Sequence, residues 1–421
     1  MIGSGNWGHV AAALRHRDHR LFNYTLLPAL LSLWAQRTGI GWLAWELTHS
    51  PSWLGIIAAA DLLPSVFLSP LSGVIADRVN AVRMMRLTQA IIMVHAAVLW
   101  AMTAAGIIEI WGLFVLALIT GINQPFSTSA RMVYYPTLVP REDLGTAITI
   151  NSTVFNLGRA AGPALAGVLI GPFGVATVFF LNFAAFLAHL LNLLRIHGVH
   201  AEDIARKPKG MFREAREGLG YAARHAGIGP MLLLLVLTSV AGRPVPEMLP
   251  GFADDVFGRG PEGLGWLLSA VGVGGLAGAI WLTRRGAAGG LTVVVVFMTM
   301  VMGVATAIFG LTDWFWLGVA FLAVVGFTQT VTGTGIQALL QIAVAPEVRG
   351  RVMSLYTAVW RGTPAFGAIL IGWIADHAGL PWTVTGAGVI LVLSWMWARS
   401  LQGGIAAALE ARPESREIRG A

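Results

Sequence analysis

The stretch "SGVIADRVNAVRMMR", Ser72 to Arg86, stands between two long apolar runs and carries four charges, Asp77, Arg78, Arg83 and Arg86. A helix needs about 20 apolar residues to cross the hydrocarbon of a bilayer. An apolar chain that halts for four charges and then resumes therefore reads as two spans joined by a short polar turn. The three arginines outnumber the single acid, and a basic excess of that kind marks the cytoplasmic side of a membrane.

Composition extends this reading to the whole chain. Of 421 residues, 56% are hydrophobic and only 12% charged, and mean hydropathy is +0.71. Soluble domains carry about 25% charged residues, so too few charges are present to cover a water-facing surface. Cysteine is absent, which excludes disulfides, zinc–thiolate sites and thiol redox chemistry. The net charge of +7 is assigned to membrane sidedness rather than to nucleic acid. The first apolar run, after Arg15, Arg17 and Arg20, is too long for the core of a secretory signal and reads as a retained helix.

Twelve apolar segments follow one another, at approximately 20–48, 53–77, 84–108, 110–135, 143–170, 173–196, 228–252, 261–283, 290–311, 314–343, 351–375 and 380–402. Gly/Pro-containing turns such as "HSPSW", "IGPFG", "RGPEG" and "AGLPW" punctuate them. With the N-terminus inside, 23 of the 28 Lys and Arg fall in tails and loops on that side. Four lie deep within spans (Arg37, Arg159, Arg243, Arg361), and Arg259 alone falls outside, the cations at inner span ends (Arg20, Arg86, Arg131, Arg195, Arg351, Arg399) being counted with the inner side. The positive-inside rule gives this skew and places both termini in the cytoplasm. The expected fold is an all-α polytopic membrane protein of 12 transmembrane helices in two pseudo-symmetric six-helix bundles. Its parts are a cytoplasmic N-terminal tail (1–19), an N-terminal bundle (20–196), an inter-bundle loop (197–227), a C-terminal bundle (228–402) and a cytoplasmic C-terminal tail (403–421).

The inter-bundle loop holds the only two lysines, Lys207 and Lys209. Its segment from Met211 to His225 has two readings: a short interfacial helix with Phe212 and Leu219 toward the membrane, or a plain tether. The bundles also echo each other. Span five carries Gly162, Pro163 and Gly167, and span eleven carries Gly362, Pro364 and Gly367. Repeated bundles are a transporter signature.

The order G-x-x-x-D-R at Gly73–Arg78 resembles the signature loop of the major facilitator superfamily. The blocks "WAQRTGIGWLAWELTHSPSWLG" (34–55), "QPFSTSARMVYYPTLVPREDLGTAITINSTVFNLGRAAGPALAG" (124–167) and "FREAREGLGYAARH" (212–225) resemble its branch of enterobactin exporters and macrolide efflux proteins. The chain departs from the pattern at Asn80, Ala81 and Val82, where a Gly or Asp and two basic residues are usual, with Arg83 as the available substitute. The resemblance implies a gating loop of Gly73, Asp77, Arg78 and Arg83, and the physical reading agrees. Arginines alone would anchor topology, whereas Asp77 weakens a positive loop and needs another use, as a latch to a neighbouring helix end or to Arg78 or Arg83. The stretch "GRAAGPALAG", Gly158 to Gly167, resembles the fifth-span motif associated with exporters, through Gly158, Gly162, Pro163 and Gly167, with Ala166 replacing one glycine. Small residues four apart would give the same close helix packing in any polytopic protein.

Charges within spans need partners or duties. Arg37 lies about twelve residues before the first turn and Asp61 about ten after it, so antiparallel neighbours hold the two at one depth. Asp61, where the family pattern has an uncharged polar residue, is a proton-coupling candidate with Arg37. The other reading is a permanently ionised pair. Glu247 is the second candidate carboxylate. It shares a face with Arg243 if the helix survives Pro244 and Pro246, and a broken helix suits a cavity or gate.

Arg159 and Arg361 occupy corresponding spans and either favour an anionic or hydroxyl-rich substrate or bond to neighbouring carbonyls. Asn123, Gln124, Asn156, Gln329, Trp34 and Trp360 are further cavity candidates, with interhelical bonding or packing as the other use. His95 and His189 are assigned to packing or hydrogen bonding. The ten histidines show no metal-ligand spacing, and no phosphate-binding glycine loop or nucleophile–base set is present. No cofactor, metal, nucleic-acid partner or enzymatic activity is expected.

The partners expected are a small-molecule substrate, protons and membrane lipids, acting on a monomer in the inner membrane of a bacterium. The function expected is proton-coupled efflux of a lipophilic or amphipathic molecule (drug, macrolide or siderophore-like) by alternating access. An importer or lysophospholipid translocator of the same fold and a non-transporting receptor are the alternatives.

Overall fold

The computed structural model describes residues 15–196, 220–221, 225–286, 289–344 and 346–410. These residues are predominantly helical, with no strand among them. Six helices precede the inter-bundle segment: α1 (Arg17–Thr48), α2 (Pro51–Arg78), α3 (Ala81–Ala104), α4 (Ile110–Tyr134), α5 (Leu144–Phe173) and α6 (Val175–Arg195). Six follow it: α7 (Ile228–Ala241, continued by shorter turns to Val256), α8 (Gly260–Arg285), α9 (Leu291–Leu311), α10 (Phe315–Ala343), α11 (Pro346–Ala378) and α12 (Leu380–Leu409). Most of the 197–227 segment, including nearly all of the interfacial-helix candidate, lies outside the described residues.

Among the described residues, eleven helices are long and apolar enough to cross a membrane by length and composition. The exception is α1, which has 32 residues and falls short in apolarity because it carries a row of polar side chains. That row points inward: His19, Asn23, Ser32, Gln36 and Thr38 are all buried. Ser32 Oγ donates to Asn182 Oδ1 of α6 at 3.0 Å, and Asn182 Nδ2 donates to Gln36 Oε1 at 2.7 Å. Nearer the start of α1, Thr25 Oγ1 meets His189 Nδ1 at 2.8 Å, and Asn192 Nδ2 donates to Thr25 Oγ1 at 3.1 Å. The α1–α6 seam is thus a ladder of polar contacts inside an apolar bundle, which is how polar residues are tolerated at membrane depth.

The chain divides into two compact units. One is Met1–His49, Ala60–Lys207 and Gly258–Ser269; the other is Ser50–Ala59, Pro208–Phe257 and Ala270–Ala421. In the first, α5 lies directly on α1, since a Cβ on Gly162 would stand 2.5 Å from Trp34 Cβ. The first turns of α8 belong to this unit because Gly265 presses on Gly167 of α5, where an added Cβ would lie 2.9 Å from the opposite Cα. In the second unit the first turns of α2 lie on α11, with Gly55 against the carbonyl of Ala368. Ser50 Oγ donates there to both carboxylate oxygens of Asp376 at 3.2 and 3.1 Å.

Each unit ties its third and sixth helices at their ends. Arg86 of α3 donates from Nε and Nη2 to the carbonyl of Leu193 at 3.2 and 3.1 Å, and from Nη2 to that of Ile196 at 3.3 Å. The cation thereby satisfies carbonyls that α6 leaves open at its C-terminus. In the second unit the polarity is reversed. Glu410, just past α12, accepts the amides of Gly290 and Thr292 at 2.5 and 2.7 Å and caps α9. Asn80 caps α3 locally, its Oδ1 accepting the amides of Val82 and Arg83 at 3.0 and 3.1 Å.

Two measurements check these supports. Asn182→Leu leaves Ser32 and Gln36 buried without their shared partner and should lower stability by about 1–3 kcal/mol, against about 0.6 kcal/mol for Ser32→Ala, read as unfolding midpoints of the detergent-solubilised protein. Glu410→Ala should speed amide hydrogen exchange at Gly290–Thr292 while the middle of α9 keeps its protection, because only the cap is lost.

Candidate transport machinery

The α1–α2 turn sets the depth of the first charged pair. Counting outward from it brings Arg37 and Asp61 level, and Arg37 Nη1 stands 3.4 Å from Asp61 Oδ2. Both side chains are half-buried, at 38% and 24% exposure, so neither is fully enclosed by protein. The backbone under Asp61 is fixed from behind by α4, since a Cβ on Gly121 would lie 2.6 Å from the Asp61 carbonyl oxygen. The carboxylate is therefore carried on a rigid wall with one cation beside it.

Arg37 also opens a run of aromatic and cationic groups across three helices of the first unit. Its guanidinium lies 5.8 Å from the Trp34 ring centre. Trp34 meets Phe155 of α5 edge-on at 5.9 Å, and the Arg131 guanidinium of α4 lies 5.9 Å from the Phe155 ring centre. Cations within about 6 Å of an aromatic ring are attracted to it. Trp34 is a packing residue here rather than a free platform, although its Nε1–H is buried with no hydrogen-bond partner among the described residues. Arg131 was not among the intramembrane charges read from the sequence. It stands in the last turn of α4, at the inner end of the fourth apolar segment (110–135), where it counts with the cations of that side.

In the second unit the helix does not survive Pro244 and Pro246. α7 ends at Ala241, a 3₁₀ turn runs Val245–Met248, and a π turn closes Phe252–Val256. Arg243 and Glu247 therefore do not stand one helical turn apart. The break frees the carbonyl of Gly242, which Gln329 of α10 takes with Nε2 at 2.9 Å. Arg243 turns to α11: Nη1 donates to the Trp360 carbonyl at 2.6 Å, and the guanidinium lies 3.7 Å from the indole centre. Trp360 stacks in turn on Tyr356 at 6.0 Å with 13° between planes. Gly333 makes room for this stack, since a Cβ there would lie 2.2 Å from the indole. The cavity left among Thr238, Arg243, Gln329 and Trp360 holds only about 10 Å³, so the stack is closed. Glu247 is half-buried within the 3₁₀ turn.

The remaining candidates divide by position. Arg159 on α5 and Arg361 on α11 are half-buried, and neither guanidinium hydrogen-bonds within the described residues. Asn123 is used structurally, its Nδ2 donating to the carbonyl of Thr88 at 3.1 Å. Asn156 bonds its own helix at Ser152 O, 2.9 Å, and Gln124 is exposed. Of the signature loop, Gly73 lies within α2 and Arg83 is exposed on the first turn of α3, while the side chains of Asp77 and Arg78 lie outside the described residues. Gly158, Gly162 and Gly167 are all helix contacts, the first two onto α1 and the third onto α8. Pro163 lies inside α5 without ending it. His95 meets Thr120 Oγ1 at 3.2 Å, and His189 meets Thr25.

The chain is similar in sequence to bacterial transporters. The multidrug efflux pump Tap of Mycolicibacterium fortuitum is 26% identical over 84% of this chain and 90% of its own. The staphyloferrin A transporter of Staphylococcus aureus is 23% identical over 85% of this chain and 90% of its own. The crystal structure of a bacterial homologue of the human lysosomal transporter Spinster superposes with a TM-score of 0.71 at 13% identity, covering 94% of this chain and 99% of that one, a likeness of fold. A family model described as "transmembrane secretion effector" matches residues 8–414. With eleven long apolar helices among the described residues and a family match over residues 8–414, this chain belongs to the transmembrane secretion effectors, multi-pass transporters of the major facilitator superfamily rather than enzymes.

Proposed function

We propose that the protein exports lipophilic or amphipathic small molecules by alternating access of two six-helix bundles, driven by inward proton flow across a bacterial cytoplasmic membrane. The observation that carries the coupling is the half-buried Arg37–Asp61 pair, 3.4 Å apart. Its carboxylate can exchange the arginine for a proton without leaving its place on α2. The pair is only partly enclosed by protein, and that partial exposure supports a route by which a proton can reach the carboxylate. Efflux is supported by the Tap relative and by the glycines of the fifth span.

Both termini are assigned to the cytoplasm on the distribution of Lys and Arg, and the α2–α3 turn, with Gly73, Asp77, Arg78 and Arg83, is assigned to the gate on that side. The substrate class follows from the cations. Arg131 over Phe155 and the half-buried Arg159 favour a molecule with an aromatic body and an anionic or hydroxyl-rich end. Arg243 and Glu247 at the α7 break supply a second charged locus, where Glu247 is the alternative proton carrier.

Everted vesicles with an imposed pH gradient separate the carboxylates. Asp61→Asn should abolish gradient-driven dye accumulation while retaining exchange of labelled against unlabelled dye, and Glu247→Gln should keep both. Full accumulation by Asp61→Asn would remove that residue from the coupling step. Arg159→Gln should raise the KM for an anionic fluorescein-type dye about tenfold, the loss of one charged hydrogen bond, and leave ethidium unaffected. Equal effects on both dyes would contradict the assignment of Arg159 to an anionic group.

A further inference from the structure

A groove of about 510 Å³ runs along the first unit between α2, α3 and α4. Its walls include Val79, Leu87, Ile91, Ile119, Ile122 and Phe126, and one cation, Arg83, stands at the end where α2 turns into α3. The other polar groups in the lining are already engaged. Asn123 Nδ2 donates to the Thr88 carbonyl, and Thr88 Oγ1 donates to the Met85 carbonyl at 3.0 Å. The groove thus offers a solute apolar walls along its length and, among the described side chains, the exposed guanidinium of Arg83 at one end. From Arg83 to Ile91 it follows α3 for two turns, roughly 12 Å. Leu87 and Ile122 are 62% and 42% exposed, so the groove is open along its side rather than enclosed.

We infer that this groove holds one acyl chain of an anionic phospholipid, with its phosphate on Arg83. The charge pattern selects the occupant. A neutral apolar solute has no use for the guanidinium, and a small free anion has none for two turns of aliphatic wall. A lipid with an anionic headgroup matches both, and the position of Arg83 at the helix turn puts the phosphate at headgroup depth. On the orientation proposed above, the lipid comes from the cytoplasmic leaflet. Basic groups at the mouths of clefts between transmembrane helices bind anionic headgroups in this way.

The test is lipid titration of the delipidated full chain in neutral detergent, read by native mass spectrometry, with palmitoyl-oleoyl phosphatidylglycerol against the phosphatidylcholine of the same chains. The wild type should prefer phosphatidylglycerol about fivefold, the worth of one arginine near an anionic surface. Arg83→Gln should bring the two lipids level, and Ile122→Trp, filling the groove, should weaken both equally. Leu87→Trp at the open rim gives the same readout if Ile122→Trp does not elute as a single folded species. The inference is overturned if Arg83→Gln keeps the preference or if the groove-filling variants bind both lipids as the wild type does. It is also overturned if those variants abolish ethidium transport with lipid binding intact, which would make the groove part of the substrate path.

Discussion

A bilayer interior offers polar groups no partners, and that constraint organises this molecule more than any single contact. Each unit answers it by placing polar side chains where a second helix can receive them. The α1–α6 seam shows the consequence most plainly. α1 is too polar to register as a span by composition, yet Ser32, Gln36 and Asn182 satisfy one another across it. The helix that carries Arg37 is held by that ladder. Glycines do the complementary work, letting α5 and α4 approach α1 and α2 at backbone distance, which fixes the two charged residues in register.

Helix ends meet the same demand by another route. Arg86 closes the end of α6, Glu410 opens α9, and Gln329 takes the carbonyl that two prolines set free in α7. The opening charged stretch therefore has two kinds of residue in it. Arg86 and Asn80 are structural supports of helix ends, while Arg83 remains exposed at the turn and is available to lipid.

Much of this was legible in the amino-acid sequence, and the reason is periodic. Apolar runs of membrane length, Gly/Pro turns between them and the skew of Lys and Arg are one-dimensional signals. The meeting of Arg37 and Asp61 could be read because both are counted from the same short turn, so depth follows from residue number. Pro244 and Pro246 announced the break in α7 in the same way. What could not be read was azimuth. Asn182, Arg131 and Glu410 act through partners far along the chain, and no spacing rule says which face of a helix will meet which neighbour. Arg131 lay at the inner end of the fourth apolar segment with nothing in its spacing to name Phe155 as its neighbour, and Asn80 looked like a mere departure from a pattern until it proved to be a cap. Trp34 and Asn156 could be placed by depth but not by neighbour: Trp34 meets Phe155 of α5 and Asn156 bonds Ser152 of its own helix.

The central claim is that Asp61 trades its arginine for a proton during transport. Difference infrared spectroscopy of the reconstituted protein, as pH is lowered across the physiological range, observes that carboxyl group directly. The account requires a protonated-carboxyl stretch that grows with acidification and is missing in Asp61→Asn. An identical spectrum in the wild type and the variant would mean that the pair stays ionised, and the coupling role would have to be withdrawn.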